Sequence, residues 1–168
     1  MLKNLFCLAL ICLLASTSVS CKKEKRPEGM PDIYPVTLKI IQGGQPLEGA
    51  EVSLSSDDPI LVKYPAGGIS DKDGLVRLKT LGFNGAPAGK FKATVAKYEV
   101  LNRPSSFEEA QKFQSEGLKE ESFDLVAREY GVKATTPLTV EIQASKSAQT
   151  FDLDVGEPIR ESREDAMR

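Results

Sequence analysis

Between residues 34 and 155 apolar and polar residues alternate with a period of two, which leaves few folds other than a two-layered β structure. Val36, Leu38 and Ile40 alternate with Thr37 and Lys39, and after a Gly43-Gly44 turn Val52 and Leu54 alternate with Glu51 and Ser53. The pattern returns in "LVRLKT", in "KFKATVAKYEV", in "PLTVEIQ" and in "QTFDLDV". "PILVKY" is a further short strand candidate, and the following "PAGGISDKDG" reads as turn. Side chains at alternate positions of a strand point to opposite faces, so each segment can bury one face and wet the other. These seven segments predict an all-β, seven-stranded antiparallel sandwich rather than a parallel α/β sheet.

One stretch departs from period two. In "RPSSFEEAQKFQSEGLKEE", Ser105 or Ser106 stands three residues before a glutamate, Phe107, Ala110 and Phe113 share a helical face, and Gly117 suits a stop. One short helix is expected near residues 105–117, packed by its phenylalanines. Segment 156–168 has few apolar residues and reads as a frayed or weakly helical C-terminal tail.

Composition narrows the chemistry. The 168 residues carry a net charge of −2 and no histidine. The charge offers no attraction to nucleic acid, and the missing histidine removes the usual neutral-pH base, the Ser-His and Cys-His pairs and the commonest transition-metal ligand. All three cysteines, Cys7, Cys12 and Cys21, fall within the first 21 residues, so the body can hold no disulfide or thiolate metal site. Neither a metal nor any other cofactor is expected.

The N-terminus has a basic Lys3, an apolar run from Leu5 to Ala15 and small residues from Ser16 to Ser20. That is the layout of a signal peptide over residues 1–20, too short to span a bilayer. "Ser18-Val19-Ser20-Cys21" resembles the lipobox of bacterial lipoproteins, which implies lipidation of Cys21. Ser18 stands where that family usually has leucine, and ordinary cleavage near Ser20 is the alternative. Residues 21–33 are charged and then proline-containing, the composition of a flexible tether, with Lys22, Lys23, Lys25 and Arg26 within reach of anionic headgroups.

Three motifs in order, "QPLEGAEV", "GISDKDGLVRL" and "GKFKATV", resemble the carboxypeptidase regulatory-like, transthyretin-like domain of bacterial exported proteins. The resemblance covers about residues 35–155, departs at Ser70 and Val76, and implies a β-sandwich of seven strands in two sheets. Transthyretin-like enzymes of purine degradation rely on histidines, so that activity is excluded.

The remaining candidates are weighed on their spacing. Counting a calcium loop from Asp71 puts Leu75 at position 5 and Gly82 at position 12, neither able to ligate, so Asp71, Asp73 and Gly74 read as a structural turn. The acid pairs Asp57-Asp58, Glu108-Glu109 and Glu120-Glu121 read as solvated surface, and Ser105-Ser106 and Thr135-Thr136 as caps and turns. Tyr130 could tie a corner, and Tyr64, Phe83 and Tyr98 could stack on sugars. The expectation is a non-catalytic envelope lipoprotein, exported and held by its lipid at the outer membrane. As a structural or protein-binding module it would engage another envelope protein, with carbohydrate or peptidoglycan binding as the alternative and a histidine-free hydrolase as the least favoured.

Overall fold

A computed structural model describes residues 25–163, so Cys21, the residues read as a signal peptide and the last five residues lie outside the described part. The chain folds as a β-sandwich with seven principal strands: Val36–Gln42, Glu51–Ser55, Ala66–Ile69, Leu75–Arg77, Gly89–Ala96, Thr139–Ile142 and Gln149–Asp154. One layer runs Thr139–Ile142, Gly89–Ala96, Glu51–Ser55, Ala66–Ile69 and then the short Lys79–Thr80 and Phe83–Asn84 pair. The other centres on Val36–Gln42, flanked by Gln149–Asp154 and by Leu75–Arg77. Among the described pairings all are antiparallel except that of Gln149–Asp154 with Val36–Gln42.

The alternation read in the sequence is the alternation of burial. Along Val36–Gln42 every second residue is buried, and Leu38, Ile40, Leu54, Val76, Ala93 and Val95 are wholly inaccessible in one continuous core. Between Leu75–Arg77 and Lys79–Thr80 the chain changes layer at Leu78, whose amide still donates to Val36 O at 3.3 Å.

"PILVKY" is not a strand but a 3-10 turn, Leu61–Lys63. The Asp58 carboxylate accepts from the amides of Ile60 and Leu61 at 2.8 and 3.0 Å, bending the chain before a strand can start. The strand comes next, at Ala66–Ile69, in residues read as turn. Gly67 and Gly68 serve there because neighbours crowd them: a Cβ on Gly67 would lie 2.7 Å from Val52 O in the adjacent strand, and one on Gly68 2.9 Å from Val76 Cγ1 in the other layer.

Two further expectations are corrected. "KFKATVAKYEV" is two strands, breaking at Lys97, after which Tyr98–Leu101 leaves the sandwich for a separate three-stranded sheet with Glu121–Asp124 and Glu161–Ser162. The segment beyond residue 155 is no loose tail as far as Arg163, since Glu161–Ser162 pairs with Phe123 and Asp124.

The sandwich therefore has two distinct ends. Residues 25–35 enter at one, where Ile33–Tyr34 pairs with Ala86–Pro87 and Gln149 N donates to Pro35 O. At the other, one length of Val36–Gln42 or about 20 Å away, Gln42 Nε2 donates to Leu125 O at 2.8 Å beside the base of the small sheet. We call these the tether end and the arm end.

Candidate functional site

At the Asp71 turn, Asp71 Oδ1 accepts from the amides of Asp73 and Leu75 at 3.0 and 2.9 Å, and Gly74 N donates to Asp71 O at 2.9 Å. The oxygen that would open a calcium loop is thus engaged by backbone. Gly74 has φ +74° and stands so close to Val36–Gln42 that a Cβ would lie 2.6 Å from Ile40 O. Its neighbour Ser70 is buried, donating its hydroxyl to Leu47 O at 2.6 Å and accepting from Ala50 N at 2.8 Å. One side chain thereby joins the "QPLEGAEV" turn to the "SDKDG" turn.

Of the acid pairs, Asp57, Asp58 and Glu109 are engaged by partners. Asp57 pairs with Lys133 Nζ at 2.6 Å while Asp58 caps the 3-10 turn, and the amides of Leu61 and then Ile60 hold the Asp58 carboxyl below its ordinary value. Glu109 is likewise lowered, first by the Ser105 hydroxyl and then by the Ser105 amide. Both shifts run opposite to what a proton-donating catalytic acid needs. Among the described residues no group of three or more His, Cys, Asp or Glu is placed to hold a metal ion.

Tyr64, Phe83 and Tyr98 stand on three different elements: after the 3-10 turn, on the last short strand of the larger layer, and in the small sheet. Tyr130 packs half-buried against the core with its hydroxyl facing Gly156, where a Cβ would meet it at 3.3 Å. Thr136 is buried, its hydroxyl donating to Ala93 O at 2.7 Å.

The most unusual feature is the arm. Tyr98–Leu101 and Glu121–Asp124 pair antiparallel from Tyr98↔Asp124 to Leu101↔Glu121, and Phe107–Ser115, a helix, lies in the loop that joins them. Two arginines fasten the C-terminal strand to opposite faces of this ribbon. Arg160 lies 3.7 Å from the Phe123 ring centroid and 3.3 Å from Glu99, while Arg163 lies 5.1 Å from the Tyr98 ring and 3.2 Å from Asp124. Sequence reading missed both arginines, because periodicity and spacing report local order and these partners lie far back along the chain.

The helix caps follow the sequence. Ser106 Oγ accepts from Glu109 N at 3.2 Å, Glu109 Oε2 accepts from Ser105 N and Oγ at 2.7 Å, and Leu118 N donates to Phe113 O past Gly117 at φ +66°. Its packing does not follow: no residue of the helix is buried, and Phe107 is 77% exposed. Ala110 and Phe113 are only half-covered, and Phe113 shares an open groove of about 730 Å³ with Asn102, Pro104, Leu118, Lys119 and Glu121. Arg103, Lys112 and Lys119 balance Glu109, Glu116 and Glu121 around the groove, so its surround is charged but of mixed sign.

Among the described residues no helix is long and apolar enough to cross a membrane. No family model matches the sequence, and no curated protein matches it. Among solved structures, a variant of BcpA, the major pilin subunit of Bacillus cereus, is similar with a TM-score of 0.41 and 16% identity over 77% of this chain. The match covers 30% of that pilin. A likeness so slight does not bear on function.

Proposed function

We propose that the protein is a non-catalytic envelope module, held to a membrane through a lipid on Cys21, whose arm binds another envelope protein. The observation that carries this reading is the helix Phe107–Ser115, well capped at both ends yet without a buried residue, at the end of the sandwich away from the tether. A helix this short gains little stability in isolation, and an amphipathic one normally hides its apolar face against its own domain. Here Phe107 and Leu118 face water, as the anchors of a helix-in-groove contact do. The mixed charges around it favour a partner with an apolar cleft and a rim of both signs.

A photo-crosslinking residue in place of Phe107 in intact envelopes tests this. A discrete adduct is expected there and not from the same probe at Thr94, on the outer face of the sandwich. Equal, diffuse labelling at both positions would remove the basis for the arm as binding surface.

A further inference from the structure

Eight large apolar side chains are exposed among the described residues; Ile69 and Val132 stand apart, and the other six fall into two groups. Tyr98, Phe107 and Leu118 belong to the arm, while Ile60, Val62 and Leu81, at 61%, 55% and 54% exposure, lie at the tether end. Leu61 places the 3-10 turn there, since its Cδ1 lies 2.5 Å from where Gly89, the first residue of Gly89–Ala96, would carry a Cβ. Leu81 is placed by register. Ala66 pairs with Thr80, so one step further Leu81 stands alongside Pro65, next to the 3-10 turn.

Both presentations are rigid. The Asp58 cap and the Tyr64 N to Leu61 O bond at 2.9 Å hold Ile60 and Val62 outward. Leu81 and Gly82 form the two-residue tip between Lys79–Thr80 and Phe83–Asn84, with φ +50° and +88°. Such tips favour asparagine, aspartate or glycine, and a bulky residue with positive φ is uncommon. Leu81 is thus both conformationally disfavoured and half in water.

The tether supplies the occupant. A Cβ on Gly29 would lie 3.9 Å from the Tyr64 hydroxyl, so the chain passes beside the C-terminus of the 3-10 turn. Cys21 is eight residues before Gly29, at most about 28 Å of extended chain. A lipid on that cysteine would keep this end of the sandwich near the bilayer.

We propose that Ile60, Val62 and Leu81 form a membrane-docking rim that seats the tether end on the lipid surface and points the arm away from it. The proposal rests on the reading of Cys21 as the anchor point. Charge is not the attraction: over residues 22–32 and 57–63, Lys22, Lys23, Lys25, Arg26 and Lys63 are offset by Glu24, Glu28, Asp32, Asp57 and Asp58, and Arg26 pairs with Asp32 at 3.5 Å. Contact is made by apolar side chains entering the headgroup boundary.

The test uses the chain from Cys21 onward, where that cysteine is the sole one, coupled to a maleimide-headgroup lipid in phosphatidylcholine vesicles. Coupling imposes the tether whether or not cells acylate the cysteine; acylation itself is read separately from the mass of the cellular protein. The chain has no tryptophan, so V62W is a single reporter and F107W its control at the arm. V62W emission should shift to the blue and be quenched by brominated acyl chains at least about twofold more than F107W. Equal acrylamide quenching at the two positions, without bromolipid quenching at either, would overturn the proposal. Adding Leu81→Asn should reduce bromolipid quenching of V62W, and an unchanged value would remove Leu81 from the rim. High salt should leave the quenching unaltered, whereas its loss would show the contact to be electrostatic and overturn the apolar mechanism.

Discussion

Ser70 and Asp71 are neighbours with similar polar chemistry and very different surroundings. The Ser70 hydroxyl makes two buried hydrogen bonds to a turn far back in the chain, whereas Asp71 makes two exposed bonds within its own turn. Ser70→Ala leaves the Ala50 amide and the Leu47 carbonyl without their partner, at a cost of about 2 kcal/mol. Asp71→Ala should cost about 1 kcal/mol, because water replaces the lost acceptor. Ser70→Thr, the residue usual in the resembled domain, should restore most of the loss. Urea denaturation of the three variants gives the order, and Asp71→Ala emerging as the worst would refute it. Asp71 and Gly74 were legible in the sequence as a turn, since their chemistry is local. The Ser70 contact was not, because nothing in a serine announces a partner at Leu47.

Elements were legible to the extent that their causes lie within them. Six of the seven strands announced themselves by alternation, and the helix by its caps. Ala66–Ile69 did not, because Gly67 and Gly68 are required by Val52 and Val76 across the fold rather than by their own strand. "PILVKY" misled in the other direction: its apolar run fits a strand, but one carboxylate before it sets a turn. Asp58 and Gly67 thus show how a single long-range or side-chain contact overrides propensity. The helix Phe107–Ser115 lacks buried support and should respond to pH through its cap. Glu109 titrates below its ordinary 4.5, held by the Ser105 hydroxyl and amide, so its stabilisation is complete above that value and is lost as pH falls through the lowered one. Far-ultraviolet circular dichroism and amide exchange should show Phe107–Ser115 fraying on acidification while the sandwich amides stay protected. Glu109→Gln should abolish the pH dependence, and simultaneous loss of helix and sandwich protection would contradict it.

At the scale of the whole molecule the proposed rim and the proposed partner contact fall at opposite ends of the sandwich. The sequence indicated a tether and a sandwich, but neither the arm nor the rim, because both depend on which strand termini come to the same end. Replacing Cys21 with alanine should abolish acylation and move the protein from the membrane to the soluble envelope fraction, because three partly inserted side chains hold far less firmly than an acyl chain. Fractionation and mass spectrometry check this, and unchanged membrane retention without acyl mass would show that the anchor lies elsewhere. The parallel ladder of Val36–Gln42 with Gln149–Asp154 bears on how such a chain travels. The central strand of one layer finds Leu75–Arg77 early but its other neighbour only more than a hundred residues later, so that layer stays incomplete on a partial chain, and long-range pairing of this kind is slow. A layer left open until its last strand has arrived delays completion of the fold, which suits the export read from the N-terminal sequence, since a chain crosses a narrow pore only before it has folded.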